Sequence, residues 1–210
     1  MILQTERLVL RRWRETDAES LYEYAKDPAV GPVAGWPAHK SLEESQAVIR
    51  DVFQGPECYA ICELGRDRAI GAVELMLNGS TNMTDREDEC ELGYWLGRPF
   101  WGRGYLPEAA AALIRRGFQD LGMTTIWCGY YDGNVKSKRV QEKLGFVYHH
   151  TCDAVPVPLL HEVRVEHTTC LTNPMWEIIQ QGQRLGLIRI TAPHGTVCRG
   201  ARFYFRQGGG

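Results

Sequence analysis

The sequence predicts a mixed α/β domain built on one central sheet, and three observations predict it. Strand-like stretches recur from ERLVLRRW near the start to HEVRVEHTTCL near the end. Amphipathic stretches with helix-capping chemistry interrupt them, first as an early pair and later in alternation with strands. Short polar turns join the pieces, and no segment repeats. The chain of 210 residues therefore reads as one core of packed α and β layers.

Taken in order, ERLVLRRW alternates apolar and charged residues at period two and forms the first strand. RETDAESLYEYAKDP follows as a helix, with Thr16 as its cap, Glu19 three residues on and Pro28 as the stop. After the loop GPVAGWP, SLEESQAVIRDVFQGP repeats that device. Ser41 caps, Glu44 stands three residues on, and Leu42, Ser45, Val48, Ile49 and Val52 trace one face. CYAICEL and AIGAVELML predict a hairpin turning at GRDR, and CELGYWLG adds a third strand beyond the polar connection NGSTNMTDREDE. A helix from about Pro107 to Gln119, the strand TTIWCGYY and the helix VKSKRVQEKL come next, the last ended by Gly145 as a left-handed C-terminal glycine. FVYHHTCD and HEVRVEHTTCL form a final strand pair separated by AVPVPLL.

Hydrophobic residues make up 44% and charged residues 24%, as in soluble globular proteins. No apolar run reaches the length of a membrane span, and MILQTERLVLRRW turns charged too early for a signal peptide, so a cytoplasmic protein without a membrane partner is expected. The seven cysteines (58, 62, 90, 128, 152, 170, 198) are odd in number and form no CxxC pair. They read as reduced thiols, mostly core fillers, and no His or Cys grouping has metal-ligand spacing. Charge is uneven: no acid follows Glu177, whereas Arg184, Arg189, Arg199, Arg202 and Arg206 do. The acidic remainder favours a cationic partner over nucleic acid.

Residues 101–109, WGRGYLPEA, carry the strongest local chemistry. The GxxxxGK[ST] of a P-loop is absent, and Pro107 stands where a GxGxxG dinucleotide fingerprint needs its third glycine. What remains is a loop whose backbone N–H groups, around Gly102 to Leu106, point at an anion beside a helix N-terminus. Gly102 and Gly104 permit close approach, Arg103 adds charge, and Pro107 suits a first helical turn. The alternative is a tight turn whose glycines serve geometry alone.

Four stretches in order, TERLVLRRWRETDAESLYEYAKDPAV, ELGYWL, WGRGYLPEA and NVKSKRVQEKLGF, with a last trace in LTNPMWE, resemble the GCN5-related N-acetyltransferases (GNAT), in the RimJ/RimL-like branch of ribosomal-protein N-terminal acetyltransferases. The resemblance covers about residues 1–179 and implies the GNAT fold: a mostly antiparallel twisted sheet, flanked by about four helices and splayed between its fourth and fifth strands. It implies that the anion is the pyrophosphate of acetyl-CoA. The pantetheine would pair with backbone near Trp95 and Leu96, with Tyr105 and Leu106 in the loop and Asn134 also contacting the cofactor. Asn134 equally suits a helix cap. Two positions depart from the wider superfamily. Pro99 stands where Arg or Gln is common, with Arg98 as its substitute, and Gln141 replaces a tyrosine that protonates the leaving thiolate. The branch uses a serine instead, here Ser137, whose alternative is an ordinary helix-surface serine.

An acceptor amine must lose a proton before it attacks, so a carboxylate base is expected. Glu91 shares a strand face with Gly93 and Trp95 and is the first candidate, its alternative being an exposed edge-strand glutamate. Asp153 and Glu74 are weaker ones. His149 and His150, adjacent in a strand, should face opposite sides. The expected activity is transfer of acetyl to a primary amine, either a protein N-terminus or a small molecule, by a metal-free monomer or homodimer. The rival readings are a non-catalytic acyl-CoA sensor and, against the charge balance, a nucleic-acid module. Residues 180–210, with seven glycines, five arginines and no acid, form a basic extension that is either a hairpin or a flexible tail.

Overall fold

A computed structural model describes residues 1–77 and 79–185. Its strands are β1 (Ile2–Gln4), β2 (Leu8–Arg11), β3 (Cys58–Glu63), β4 (Ala69–Met76), β5 (Glu89–Leu96), β6 (Thr125–Tyr131), β7 (Val147–Val157) and β8 (Glu162–Thr172). They form one sheet in the order β1-β2-β3-β4-β5-β6-β8-β7, antiparallel throughout except where β5 meets β6. The helices are α1 (Ala18–Ala25), the single turn α2 (Gly31–Ala34), α3 (Leu42–Asp51), α4 (Tyr105–Gln119), α5 (Val135–Leu144) and α6 (Asn173–Arg184). The expected α/β class holds.

The two faces of the sheet are covered differently. On one, α1 packs against α3 and β4; on the other, α4 packs against β2, β4, β5 and α5. Gly117 of α4 lets the helix lie close to Leu75 and Ile126, with only 3.0 Å from a notional Cβ to the Ile126 side chain. Strand alternation therefore sends Leu75 toward α4 and its neighbours Glu74 and Met76 toward α1 and α3.

Several local expectations need correction. ERLVLRRW holds the strand β2, and an unexpected further strand, β1, precedes it; between them Thr5 bonds to the Leu8 carbonyl through both N–H and hydroxyl and turns the chain. Thr16 does not cap α1. The chain enters through a 3-10 turn at Glu15–Asp17, where the Asp17 carboxylate accepts the Arg14 N–H at 2.9 Å. Ser41 does cap α3, accepting from the Glu44 N–H. AVPVPLL is mostly strand, since β7 pairs with β8 through Pro156 and Val157. LTNPMWE carries the end of β8 in Leu171 and Thr172 and then opens α6, with Pro174 in its first turn where no hydrogen bond is lost. The expected boundary at 179/180 falls inside α6, whose Trp176 packs on Phe118 of α4 at 5.5 Å. The hairpin-or-tail expectation for RLGLIRI and ARFYFRQ lies outside the described residues from position 186 onward.

The feature that organises the site is the parallel pair. Register between β5 and β6 runs from Glu89↔Thr125 to Glu91↔Trp127 and stops. Beyond it β5 continues with β4 as far as Leu96, and β6 with β8 as far as Tyr131. The sheet is thus split between the strands that carry GYWL and CGYY, as the resemblance implied.

Arg11 and Asp17 tie β2 to the start of α1 inside this core. Both are 4% exposed, and the guanidinium meets the carboxylate in two bonds of 2.7 Å. Asp17→Ala leaves a buried cation whose remaining carboxylate partner among the described residues is the exposed Asp67, and is expected to cost roughly 3 kcal/mol of stability. Urea denaturation of the variant beside the parent checks this.

Candidate active site

The glycine loop follows β5 directly. Gly102 and Gly104 both have φ of +78°, the left-handed region that glycine enters at little cost, and Gly104 is the N-cap of α4. Backbone N–H groups at the start of a helix have no intrahelical acceptor, and the helix dipole adds positive potential there. The loop is braced from outside. Glu108, in the first turn of α4, accepts from the Thr5 hydroxyl (2.6 Å), the Arg7 N–H (2.8 Å) and the Arg7 guanidinium (2.7 Å), and Arg7 also donates to the Arg103 carbonyl. Tyr105 donates to Glu63 at 2.8 Å, and Leu106 is buried in the core. Arg103 is half exposed, 5.5 Å over the Phe100 ring, and Arg98 is exposed with Asp27 at 3.7 Å, so both cations stand at the surface beside the loop.

Trp95 and Leu96 end β5. The Trp95 side chain turns into an aromatic cluster with Trp13 and Trp36, at centroid distances of 6.4 and 6.0 Å, while the Leu96 carbonyl accepts the Trp101 indole N–H at 2.7 Å. Across the split, Asn134 caps α5, its side-chain oxygen accepting the Ser137 N–H at 3.2 Å. The capping alternative for Asn134 is therefore realised. Lys136, next along, lies 5.1 Å over the Trp101 ring.

Ser137 is not a surface serine. It is fully buried, with its Oγ 3.1 Å from the Tyr94 hydroxyl and 3.2 Å from Gln141 Nε2. Gln141 Nε2 also donates to the Gly129 carbonyl at 3.0 Å, and the Thr169 hydroxyl lies 2.8 Å from Gln141 Oε1. The Gln141 amide therefore has its nitrogen toward Ser137. The serine oxygen accepts there and directs its own proton elsewhere. Gln141 cannot replace a tyrosine as an acid, yet it holds the serine that can. The sequence reading missed Tyr94 and Thr169 as members of this network, because they lie 43 and 28 residues from their partners.

On the α1–α3 side of the split stand the carboxylates. Glu91 is 0% exposed, not an exposed edge residue, and its Oε2 accepts the Thr81 hydroxyl at 2.6 Å. Glu74 lies opposite Gly93 in the register and shares the face of Glu91 and Trp95. Burial pushes its carboxyl up to about 7, and the Glu91 charge adds to this, while the Cys58 thiol and the Arg12 guanidinium oppose it. Glu74 and Thr81 line a cavity of about 470 Å³. Glu166 of β8 is a third buried carboxylate that the sequence reading did not single out. A Cβ on Gly129 would come within 2.5 Å of its Oε1. Asp153 is exposed on β7, at the sheet edge. His149 and His150 do not face opposite sides: a register shift between Tyr148 and His150 breaks the alternation, and their Nδ1 atoms lie 2.8 Å apart. Among the described residues no His, Cys, Asp and Glu group could hold a metal ion.

A sheet split lies beside a glycine-turned helix start, with a buried hydroxyl network on one side and carboxylates on the other. The acetyltransferase (GNAT) domain family matches residues 7–147, and the chain belongs to that family. It is 30% identical over 150 residues to the uncharacterized N-acetyltransferase p20 of Bacillus licheniformis, covering 69% of this chain and 81% of that one. Over 66 residues it is 32% identical to YdaF of Bacillus subtilis, which carries the provisional name ribosomal N-acetyltransferase, covering 31% and 36% of the two chains. Among solved structures, a GNAT-family acetyltransferase from Bacillus anthracis superposes with a TM-score of 0.71 at 21% identity, over 82% of this chain and 98% of that one. The Microcin C7 self immunity acetyltransferase MccE, solved with acetyl-CoA and AMP, gives 0.65 at 20% identity, over 80% and 93%.

Ser137→Ala removes one of the two acceptors of the Gln141 amide inside the core. It is expected to lower stability by about 1 kcal/mol, read from the urea midpoint. Gln141→Glu, which replaces a donor with an acceptor facing the Gly129 carbonyl, should cost more.

Proposed function

We propose that this acetyltransferase moves the acetyl group of acetyl-CoA to the nitrogen of a primary amine by direct attack on the thioester. The observation that carries the reading is the split between β5 and β6 followed at once by a loop with two left-handed glycines and a helix start. The split offers extended backbone to a narrow arm that has amides of its own, and the loop offers N–H groups to a pyrophosphate. The residues present thus fit acetyl-CoA, which supplies the activated thioester. In this reading Gly102, Gly104, Tyr105 and Leu106 hold the pyrophosphate through their backbone, and Arg103 and Arg98 add charge. Backbone at Trp95 and Leu96 lies along the pantetheine, and Asn134 borders it from α5. A main-chain N–H of β5 is placed to stabilise negative charge on the thioester oxygen.

Ser137 gives its proton to the departing sulfur, with Gln141 holding the hydroxyl in its donating orientation. Glu91 and Glu74 present negative charge to the acceptor side and draw an ammonium toward it. The name borne by YdaF supports a protein N-terminus as acceptor, and a small cationic amine suits the cavity equally in chemistry. The arginine-rich segment from 180 onward is proposed to be dispensable for transfer, and a monomer or homodimer in the cytoplasm completes the reading. No helix among the described residues is long and apolar enough to cross a membrane.

Thiol release from acetyl-CoA, measured with a panel of N-terminal peptides, polyamines, amino acids and aminoglycosides, tests the reading. Release with at least one amine is expected. Tight acetyl-CoA binding without release from any of them would identify a sensor instead. Gly104→Asp places a carboxylate at the anion position and a side chain at a φ of +78°, so calorimetry should show acetyl-CoA binding lost in a folded variant. Ser137→Ala should lower kcat by about 100-fold, a typical general-acid contribution, with acetyl-CoA affinity nearly unchanged.

A further inference from the structure

We propose that Glu74, rather than Glu91, is the group that takes the proton from the acceptor amine, and that the cavity it lines is where a cationic primary amine binds. The inference rests on the acetyl-transfer reading above and adds a residue and a substrate class to it. Four observations converge on Glu74. It is 8% exposed on the α1–α3 face, in a cavity of about 470 Å³ that Val52, Gln54, Met76, Thr81 and Asn82 also line. No lysine or arginine is among those lining residues, and Asp51 adds a second carboxylate at the end of α3. The register sets Glu74 opposite Gly93, two residues past the point where β5 leaves β6, so the carboxylate stands level with the start of the split. Gly55 closes over it so tightly that a Cβ there would come within 2.6 Å of Glu74 Oε1, which fixes the oxygen in place.

Glu91 lacks that access. It is completely buried, and the hydroxyl of Thr81, itself a lining residue, bonds to its Oε2. Its part is electrostatic. The groups that act on Glu74 from the elements around it are Cys58 on β3, Glu91 on β5 and Arg12 beyond β2, with Asp51 at the end of α3 on the same cavity. Burial holds Cys58 as a thiol, so it donates to Glu74 and does not compete for protons. Burial first, then the Glu91 charge, bring the Glu74 carboxyl to about 7 against the thiol and the guanidinium. A base poised there is ionised in good part at neutral pH and still holds a proton firmly enough to remove it from an ammonium.

The step balances as follows. The ammonium proton moves to a Glu74 oxygen, and the freed nitrogen lone pair forms the N–C bond. The C–S bond breaks and its electron pair stays on sulfur, which takes a proton from Ser137. The second nitrogen proton is lost as the amide forms and restores the Ser137 hydroxyl, and Glu74 then releases its proton to solvent.

The test uses the full chain and two readouts. Carbon-13 NMR of labelled glutamate carboxyls in the free protein, followed from pH 5 to 9, should show one resonance with a midpoint near 7. That resonance should be absent in Glu74→Gln and should titrate at lower pH in Glu91→Gln, where the neighbouring charge is gone. The second readout is the pH profile of kcat/KM for the amine that the panel finds most active. The parent should lose activity about tenfold per pH unit below 7, because protonated Glu74 accepts nothing. Glu74→Gln should lower kcat/KM about 100-fold at pH 7.5 and move the limb above pH 9, where the amine itself deprotonates, with acetyl-CoA affinity by calorimetry kept. Glu91→Gln should shift the parent limb downward. A Glu74→Gln enzyme within a few-fold of the parent, with its limb still near 7, overturns the proposal, as does the absence of any carboxyl titrating near 7. If the parent binds acetyl-CoA but transfers to no amine, the acetyl-transfer reading fails first, and the base assignment falls with it.

Discussion

Only three residue pairs hold β5 and β6 together before each strand leaves with another partner, and the rest of the site depends on that short parallel contact. An ordinary sheet would continue the ladder, since backbone donors and acceptors that lose water need partners. Here β5 keeps β4 on one side as far as Leu96 and β6 keeps β8 on the other as far as Tyr131. The two strands can therefore separate without either one becoming unstable. What opens is a slot walled by the backbone of the two strands.

Everything around the slot is arranged by elements that come from far away in the chain. The glycine loop is held by Thr5 and Arg7 through Glu108, and by Glu63 through Tyr105. These bonds fix the direction of the α4 N-terminus. The opposite wall is α5, where the Asn134 cap, Ser137 and Gln141 line up along one side of the helix and lock to β6 and β8. A serine alone has an indifferent hydroxyl. An amide nitrogen that can only donate gives that hydroxyl a direction.

The α1–α3 side of the split is marked by burial. Trp13, Trp36 and Trp95 pack together there, their indole N–H groups buried without a hydrogen-bond partner among the described residues. In such surroundings two carboxylates on one face of the sheet cannot behave alike. Glu91 accepts the Thr81 hydroxyl, and burial pushes Glu74 toward the neutral form.

The sequence alone determined the α/β class, the order of most elements between Leu8 and Thr172, the glycine loop opening a helix, and the helix that follows Asn134. Each of these is written in local spacing: period-two alternation, the Ser41 cap, a glycine pair before PEA. What it missed or misplaced depends on distant partners. Thr16 looks like a cap, but the chain enters α1 through a 3-10 turn whose Asp17 carboxylate accepts the Arg14 N–H and pairs with Arg11, brought in on β2. His149 and His150 look like opposite faces until a bulge turns them together. Glu91 is legible from its motif, whereas the standing of Glu74 and Glu166 is not. A carboxylate's proton affinity is set by how much water the tertiary structure removes and by which charges it brings near, and neither quantity is carried by neighbours in sequence.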